Sequence, residues 1–227
     1  MKAAVYFGSR EIYGDMISAA KSLLANSDVD KIYLLIEDDE FPYELSPSVE
    51  TINIRYIVPK YFDPDGPNYR SRWTYIGLIR AALSKVFPQY DKILSIDCDT
   101  IVAQDVSDLW DIDLDGYYFA AVKEPVLSST THGLYTNVGV MMMNLKKLRD
   151  GKDTELIKAL NTRAYYFVSQ DVLNGLCRGS IKELPGEYNV CDYTIPSTSV
   201  KIIHYAGKSN WRNNDIVVKY REMEWPR

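Results

Sequence analysis

No apolar run in this 227-residue chain approaches the roughly 20 residues of a membrane span, so no transmembrane segment is predicted. The opening Met1-Lys2-Ala3-Ala4-Val5-Tyr6-Phe7-Gly8 is too short for the apolar core of a secretion signal and reads as a first strand. Cysteine is scarce. Cys98, Cys177 and Cys191 make no metal-binding spacing and, being three, cannot all pair, which predicts a reduced, cytoplasmic setting. Only 12 glycines exclude a collagen-like chain. There are no internal repeats, no low-complexity segment and no linker rich in Pro, Gly or Ser, so a single domain is expected over 1–227. Basic residues are not in excess: 26 Lys+Arg against 31 Asp+Glu give a net charge of −5. That balance argues against nucleic-acid binding by bulk electrostatics and leaves a local phosphate site open.

Hydrophobic residues make up 46% and charged residues 25% of the chain, which excludes intrinsic disorder. A chain of this length buries roughly 70% of its unfolded surface, enough for a sizeable core. Eighteen tyrosines are the compositional surplus; sugar stacking and a strand-rich core both account for them.

The first half alternates strand and helix signals. Ala3 to Phe7 is an apolar strand, and Met16, Ile17, Ala20, Leu23 and Leu24 recur on one helical face up to Asn26-Ser27-Asp28. Ile32 to Ile36 and Ile52 to Val58 read as strands. The turn-rich Asp63-Pro64-Asp65-Gly66-Pro67-Asn68 precedes a helix burying Tyr75, Ile76, Ile79, Leu83, Val86 and Phe87, stopped by Pro88. Lys92 to Ile96 is a strand running into Asp97-Cys98-Asp99. Continuous apolar strands alternating with helices predict an α/β fold, a mostly parallel sheet covered on both faces. Ligands bind such sheets at the carboxyl ends of strands, where Asp97 and Asp99 fall. Farther on, Tyr117 to Val122 and Val138 to Met143 read as strands, Asp153 to Asn161 and Gln170 to Cys177 as helices, and Lys201 to Tyr205 as a late strand.

Carboxylates at i and i+2 of an extended chain point the same way, so Asp97 and Asp99 can reach one hard cation, Mn2+ or Mg2+, that shares its shell with phosphates. A bare D-x-D is most often a solvated acidic turn. Here apolar strand brackets it on both sides, and acids so placed need a partner. His204, closing Ile202-Ile203-His204, offers a third ligand or a hydrogen-bonded core histidine. Gly207 and Lys208 just beyond it suit a phosphate. Asn137, opening an apolar strand, offers an amide to sugar hydroxyls or simply opens a turn. Ser169-Gln170-Asp171 presents polar groups at a helix start, or is a plain serine cap with an acidic first turn.

In this order the segments resemble the family 8 retaining glycosyltransferases, the group that includes glycogenin. Leu78-Ile79-Arg80 with Tyr90 to Val102 is similar to the family's Arg-bearing helix and D-x-D strand. Tyr135 to Leu145 is similar to the segment holding a sugar-contacting Asn. Phe167 to Asn189, with Leu184-Pro185 and Tyr188-Asn189, resembles its D-Q-D helix and the segment that follows, and His204 to Trp211 its closing motif. The resemblance implies a GT-A type, Rossmann-like fold whose nucleotide-binding half spans about 1–110 and whose acceptor half spans 111–227. It implies a UDP-sugar donor, Mn2+ (or Mg2+) and a saccharide or glycan acceptor. Carried over, Asp97, Asp99 and His204 are the metal ligands; Gly8, Ser9, Tyr13, Arg80, Asp97, Cys98, Gly207 and Lys208 line the nucleotide sugar; Asn137, Gln170 and Asp171 surround the transferred sugar.

Two positions depart from the pattern. Ser169 replaces the first acid of D-Q-D, so that role is missing or passes to Asp171, and Asn210 stands where the family has a lysine. Without that acid, attack by the acceptor on the face the diphosphate leaves is favoured over a covalent intermediate. Self-glucosylation of a tyrosine and a sugar-nucleotide-binding module without turnover are the competing readings.

Overall fold

A computed structural model describes residues 1–71, 74–131, 133–191 and 199–226. Ala3–Phe7 (β1) leads through a 3-10 turn at Arg10–Ile12 into the helix Tyr13–Asn26 (α1), then Lys31–Ile36 (β2) and Val49–Asn53 (β3). Lys92–Ile96 (β4) and Thr100–Val102 (β5) flank the acidic pair. Phe119–Lys123 (β6), Thr136–Asn144 (β7) and Ile181–Leu184 (β8) follow, with the helices Lys152–Thr162 (α2) and Ser169–Leu176 (α3) between β7 and β8. Ile202–His204 (β9) and the helix Asp215–Glu222 (α4) close the chain.

Seven strands form one sheet in the order β3-β2-β1-β4-β7-β6-β8, and β5 pairs with β9 in a second, two-stranded sheet. In the large sheet β7 runs antiparallel to both its neighbours, while the other pairings are parallel. Alternate residues of β1 face opposite cores: Ala3, Val5 and Phe7 lie in one hydrophobic cluster, Ala4 and Tyr6 in the other. Both faces are therefore covered, as continuous apolar strands require.

The strand expected over Ile52 to Val58 lies earlier. β3 pairs residue for residue with β2 and ends at Asn53, opposite Ile36, where β2 ends. The chain then turns, Ile57 and Val58 both donating N–H groups to the Ile54 carbonyl at 3.0 and 2.9 Å. Ile54 and Val58 stay fully buried, so their apolar character serves the core rather than a strand. The helix expected to end at Pro88 is a 3-10 helix over Tyr75–Ala82, followed by a single α turn, Leu83–Val86. Leu78, Arg80 and Ala81 are buried along with Ile76, Ile79, Leu83 and Phe87, whereas Tyr75 and Val86 of the expected face are only partly buried. β8, with the short charged sequence of an edge strand, and α4 are elements the periodicity does not predict.

The order of strands places the site. From β1 the chain steps to β2 and β3 on one side and resumes with β4 on the other, so the β1/β4 gap is a topological switch point, where open α/β sheets take ligands. Because β7 is reversed, its beginning faces that same end. No helix among the described residues is long and apolar enough to cross a membrane. Cys98, Cys177 and Cys191 are all free and buried.

Candidate active site

Beyond β4 the backbone is held by β7: Asp97 donates its N–H to the Gly139 carbonyl at 2.7 Å. The Asp97 carbonyl in turn accepts from Thr100 Oγ1 at 2.8 Å, closing the turn that carries both acids. β5 then pairs with β9 so that Thr100 lies opposite His204, and Tyr205 donates its N–H to Asp99 O at 2.8 Å. Two segments a hundred residues apart thus deliver one cluster: ligand atoms of Asp97, Asp99 and His204 all lie within 4.8 Å of one another. His204 Nε2 is 3.2 Å from Asp99 Oδ1 and 3.8 Å from Asp97 Oδ2. The imidazole is buried, whereas each carboxylate keeps 32% of its side-chain surface exposed. The cluster therefore opens to a ligand from the carboxylate side.

In the metal-free chain these groups hold one another's charge. Burial works against ionisation of Asp99, but the His204 charge and hydrogen bond, with help from Arg80, hold its carboxyl below the usual range. Burial likewise opposes a charged His204, and the Asp99 carboxylate outweighs it, raising the imidazole well above its ordinary value. Two carboxylate oxygens and one imidazole nitrogen at this spacing suit Mn2+ or Mg2+ rather than a soft metal.

Arg80, 5% exposed in its side chain, pairs with Asp97 Oδ1 from below. Its guanidinium lies over the Phe7 ring, 4.6 Å from the centroid, and Nη1 reaches Ser169 Oγ at 3.5 Å. Its Nε is buried without a hydrogen-bond partner among the described residues. Ser169 thus stands against the guanidinium, and Asp97 is the one carboxylate paired with it among the described residues.

The other expected residues divide into two groups. Gly8 follows β1, donating its N–H to Leu35 O at 3.2 Å, and Ser9 precedes the 3-10 turn; both border the switch point. Tyr13 is buried, its hydroxyl donating to Asp38 at 3.0 Å and accepting the Glu37 N–H at 3.0 Å. It fixes the loop after β2 and offers little surface to a ligand. Cys98 also turns away: its thiol donates to Phe7 O at 3.3 Å inside the core, and burial pushes it well up, so only its backbone faces the site. Gly207 has φ of +73°, which favours glycine, in a loop where Tyr205 stacks on Trp211 at 5.3 Å and Lys208 is exposed.

Around the α3 start, Gln170 Oε1 accepts the Val138 N–H at 3.2 Å and its amide donates to Tyr135 Oη at 3.3 Å. Asp171 accepts from Tyr135 Oη at 2.6 Å and from the Phe167 N–H at 2.8 Å, one bond to each oxygen. Val168, just before, has φ of +40°, a strained value for a β-branched residue. Asn137 Oδ1 accepts the Gly139 N–H at 2.8 Å and Asn189 Nδ2 at 2.9 Å. Asn189 Oδ1 meets His204 Nδ1 at 2.8 Å.

Sequence reasoning assigned no role to Asn189 or Gly139. A Cβ on Gly139 would stand 2.2 Å from His204 Cε1, so this strand position must be glycine for the ring to lie where it does. Glycine inside an apolar strand is itself a sign of such close approach. Asp15 was also missed: buried on α1, it takes three hydrogen bonds of 2.6–3.0 Å from Arg212. This pair anchors the loop beyond His204 to the first helix.

Residues 9–215 match the family model described as glycosyl transferase family 8. A putative glycosyltransferase of Haemophilus influenzae is 26% identical over 207 residues, which cover 82% of this chain and 62% of that protein. The lipopolysaccharide 1,2-glucosyltransferase of Escherichia coli is 33% identical over 145 residues, covering 57% of this chain and 42% of that protein. The match therefore spans less than two thirds of either relative. Among solved structures, the galactosyltransferase LgtC in complex with donor and acceptor sugar analogues aligns with TM-score 0.71 at 19% identity, covering 96% of this chain and 95% of its own. The glycosyltransferase GlyE of Streptococcus pneumoniae aligns with TM-score 0.73 at 22% identity, covering 99% and 61%. At these identities the two structures establish a shared fold, the GT-A fold of glycosyltransferases.

Proposed function

The chain belongs to glycosyl transferase family 8, and from that footing we propose that it moves a hexose from a UDP-sugar to a saccharide or glycan acceptor, with retention at the anomeric carbon and with Mn2+ as the divalent cation. The observation that carries the reading is the convergence of Asp97, Asp99 and His204 within 4.8 Å at the switch point, with buried Arg80 behind them. Asp97, Asp99 and His204 Nε2 would hold the cation, which when bound supplies Lewis-acid neutralisation of the leaving diphosphate.

The protein's own groups do the remaining work. Arg80 fixes Asp97 and brings a buried positive charge up against the acidic pair. A fixed charge that need not reorganise is worth most where charge develops. Gly8 and Ser9, with the loop that Tyr13 ties down, form the nucleotide side, and Gly207 and Lys208 the diphosphate side. The nucleotide half then corresponds to about 1–110 and the acceptor half to 111–227.

In the transfer, the anomeric C–O bond to the diphosphate breaks and UDP leaves with the electron pair. The acceptor oxygen bonds to the anomeric carbon and its hydroxyl proton passes to the departing diphosphate oxygen on the same face. A covalent route would need a carboxylate aimed at the anomeric carbon. Asp171 is held by Tyr135 Oη and the Phe167 N–H, and Ser169 offers no carboxylate beside Arg80, which supports same-face attack by the acceptor. Gln170 and Asn137, with their amides fixed by β7 and its neighbours, would border the sugar.

The test is turnover of a panel of UDP-sugars, with saccharide acceptors, in Mn2+ and in EDTA. UDP release that needs both Mn2+ and acceptor is expected, with Asp99→Asn losing at least about a hundredfold in kcat. Release equal in EDTA, or Asp99→Asn turning over like the native chain, overturns the assignment. A hexose trapped on Asp171 overturns same-face attack.

A further inference from the structure

We propose that Asn189 is a positioning residue that fixes His204 as its Nδ1–H tautomer and so reserves Nε2 for a divalent cation. The proposal rests on the cation reading above. It follows from a chain of hydrogen bonds in which each polarity dictates the next. The Gly139 backbone N–H can only donate, so the Asn137 atom it meets at 2.8 Å is the amide oxygen. That oxygen can only accept, so the Asn189 atom 2.9 Å away is the amide nitrogen. The other end of Asn189, 2.8 Å from His204 Nδ1, is therefore the oxygen, and Nδ1 must carry the proton.

The relay is buried throughout: Asn189 is 1% exposed, His204 5% and Asn137 9%. A mismatch in it would leave a polar group without a partner and cost stability. Its last member, Nε2, points at Asp99 and Asp97. Metal-bound histidines characteristically donate their second N–H to an outer partner, and losing that partner costs tenfold to a hundredfold in affinity. Asn137, assigned by resemblance to the sugar, thus also sets the polarity of Asn189.

The test is Mn2+ titration of the full chain in native, Asn189→Leu and Asn189→Asp forms, with melting in EDTA and two-dimensional proton–nitrogen spectra of the imidazoles. The spectra are simple, because the chain has two histidines. N189L, which offers no acceptor, is expected to lose about 10- to 100-fold in Mn2+ affinity, while N189D, which keeps an oxygen toward Nδ1 but sets its other oxygen against Asn137 Oδ1, is expected to melt lower in EDTA yet bind Mn2+ more tightly than N189L. In native protein loaded with Zn2+ as a diamagnetic probe, a slowly exchanging proton is expected on His204 Nδ1, with Nε2 bare. N189L binding Mn2+ as tightly as native, or a His204 proton on Nε2 in that loaded state, overturns the proposal. Should N189L fail to melt cooperatively in EDTA, the native spectra decide: a His204 proton on Nε2 in the loaded state overturns it. A native chain that binds no Mn2+ but protects an Nδ1 proton upholds the relay and refutes the cation reading instead.

Discussion

Gly139 has no side chain, and the absence is structural. Alanine there would put a methyl 2.2 Å from the His204 ring, against an imidazole held at Nδ1 and so unable to swing away. Gly139→Ala is expected to destabilise the chain by roughly 1–3 kcal/mol, as overpacking does, and to weaken Mn2+ binding at least about tenfold as the metal ligand shifts. Melting in EDTA reads the first effect and Mn2+ titration the second. Arg80 makes a comparable point with charge. A lysine could still reach Asp97, but it has neither the planar face laid on Phe7 nor a second branch toward Ser169. Arg80→Lys is expected to lower kcat/KM about a hundredfold or more, which steady-state kinetics checks. Part of the tyrosine surplus also resolves at this scale. The hydroxyls of Tyr13, Tyr75, Tyr135 and Tyr188 are tethers to Asp38, Glu37, Asp171 and Asp108, and those of Tyr33 and Tyr90 bond each other at 2.9 Å. These rings pack as core and hold loops by their tips.

At the scale of elements, the loop after β9 is fastened at both ends. Tyr205 stacks on Trp211 within it, and Arg212 grips Asp15 on α1. Removing the arginine leaves Asp15, whose side chain is 6% exposed, with Arg221 at 3.9 Å as its one cationic neighbour among the described residues. Arg212→Ala is expected to cost about 1–3 kcal/mol, toward the lower end because half the arginine side chain already meets water. Chemical denaturation checks it, and the KM for the donor should rise with the loosened loop. Much of this level was legible beforehand. The 3.6-residue recurrence from Met16 to Leu24 and the largely apolar Lys92–Ile96 correspond to α1 and β4. The apolar run from Ile52 misled because burial and strand pairing are separate demands: Ile54 and Val58 meet the first without the second. β8 carried no signal, since Ile181-Lys182-Glu183-Leu184 is too short and too charged to stand out. The clustering of Asp97, Asp99 and His204 could be suspected from acids bracketed by strand and a histidine ending one. Asn189 and the Asp15–Arg212 pair could not, because each depends on which distant segments the sheet order brings together.

For the whole molecule, Mn2+ should act as a stabiliser. At a hundredfold excess over its Kd, a ligand binding only the folded state adds about 2.7 kcal/mol, or several degrees of melting temperature for a chain of this size. That rise should vanish in His204→Ala. Its pH dependence has a definite sign. In EDTA, His204 binds its proton more tightly folded than unfolded, so its contribution is full below the ordinary 6.5 and fades as pH rises through the raised value. Asp99 is shifted the other way, and its contribution is full above the ordinary 3.8 and is lost as pH falls through the lowered value. The metal-free pair therefore stabilises most between 3.8 and 6.5. Mn2+ competes with the Nε2 proton, so its affinity should rise with pH while His204 deprotonates. Melting curves from pH 5 to 9, with and without Mn2+, check both trends; a metal-induced shift that shrinks with rising pH would contradict them.

The reversed strand β7 has one more consequence, for the fidelity of folding. A slip of one residue against β4 would exchange the two faces of β7. It would also bring Val138 or Val140 to the place of Gly139, where a branched side chain would occupy the volume of the imidazole. Such a mispaired chain could still bury its apolar residues, for β7 is hydrophobic on both sides, but it could not seat His204 against Asp99. The single bare position in the strand thus works as a proofreading mark: only the correct register admits the ring, and a cation bound there would report that the sheet has been assembled without error.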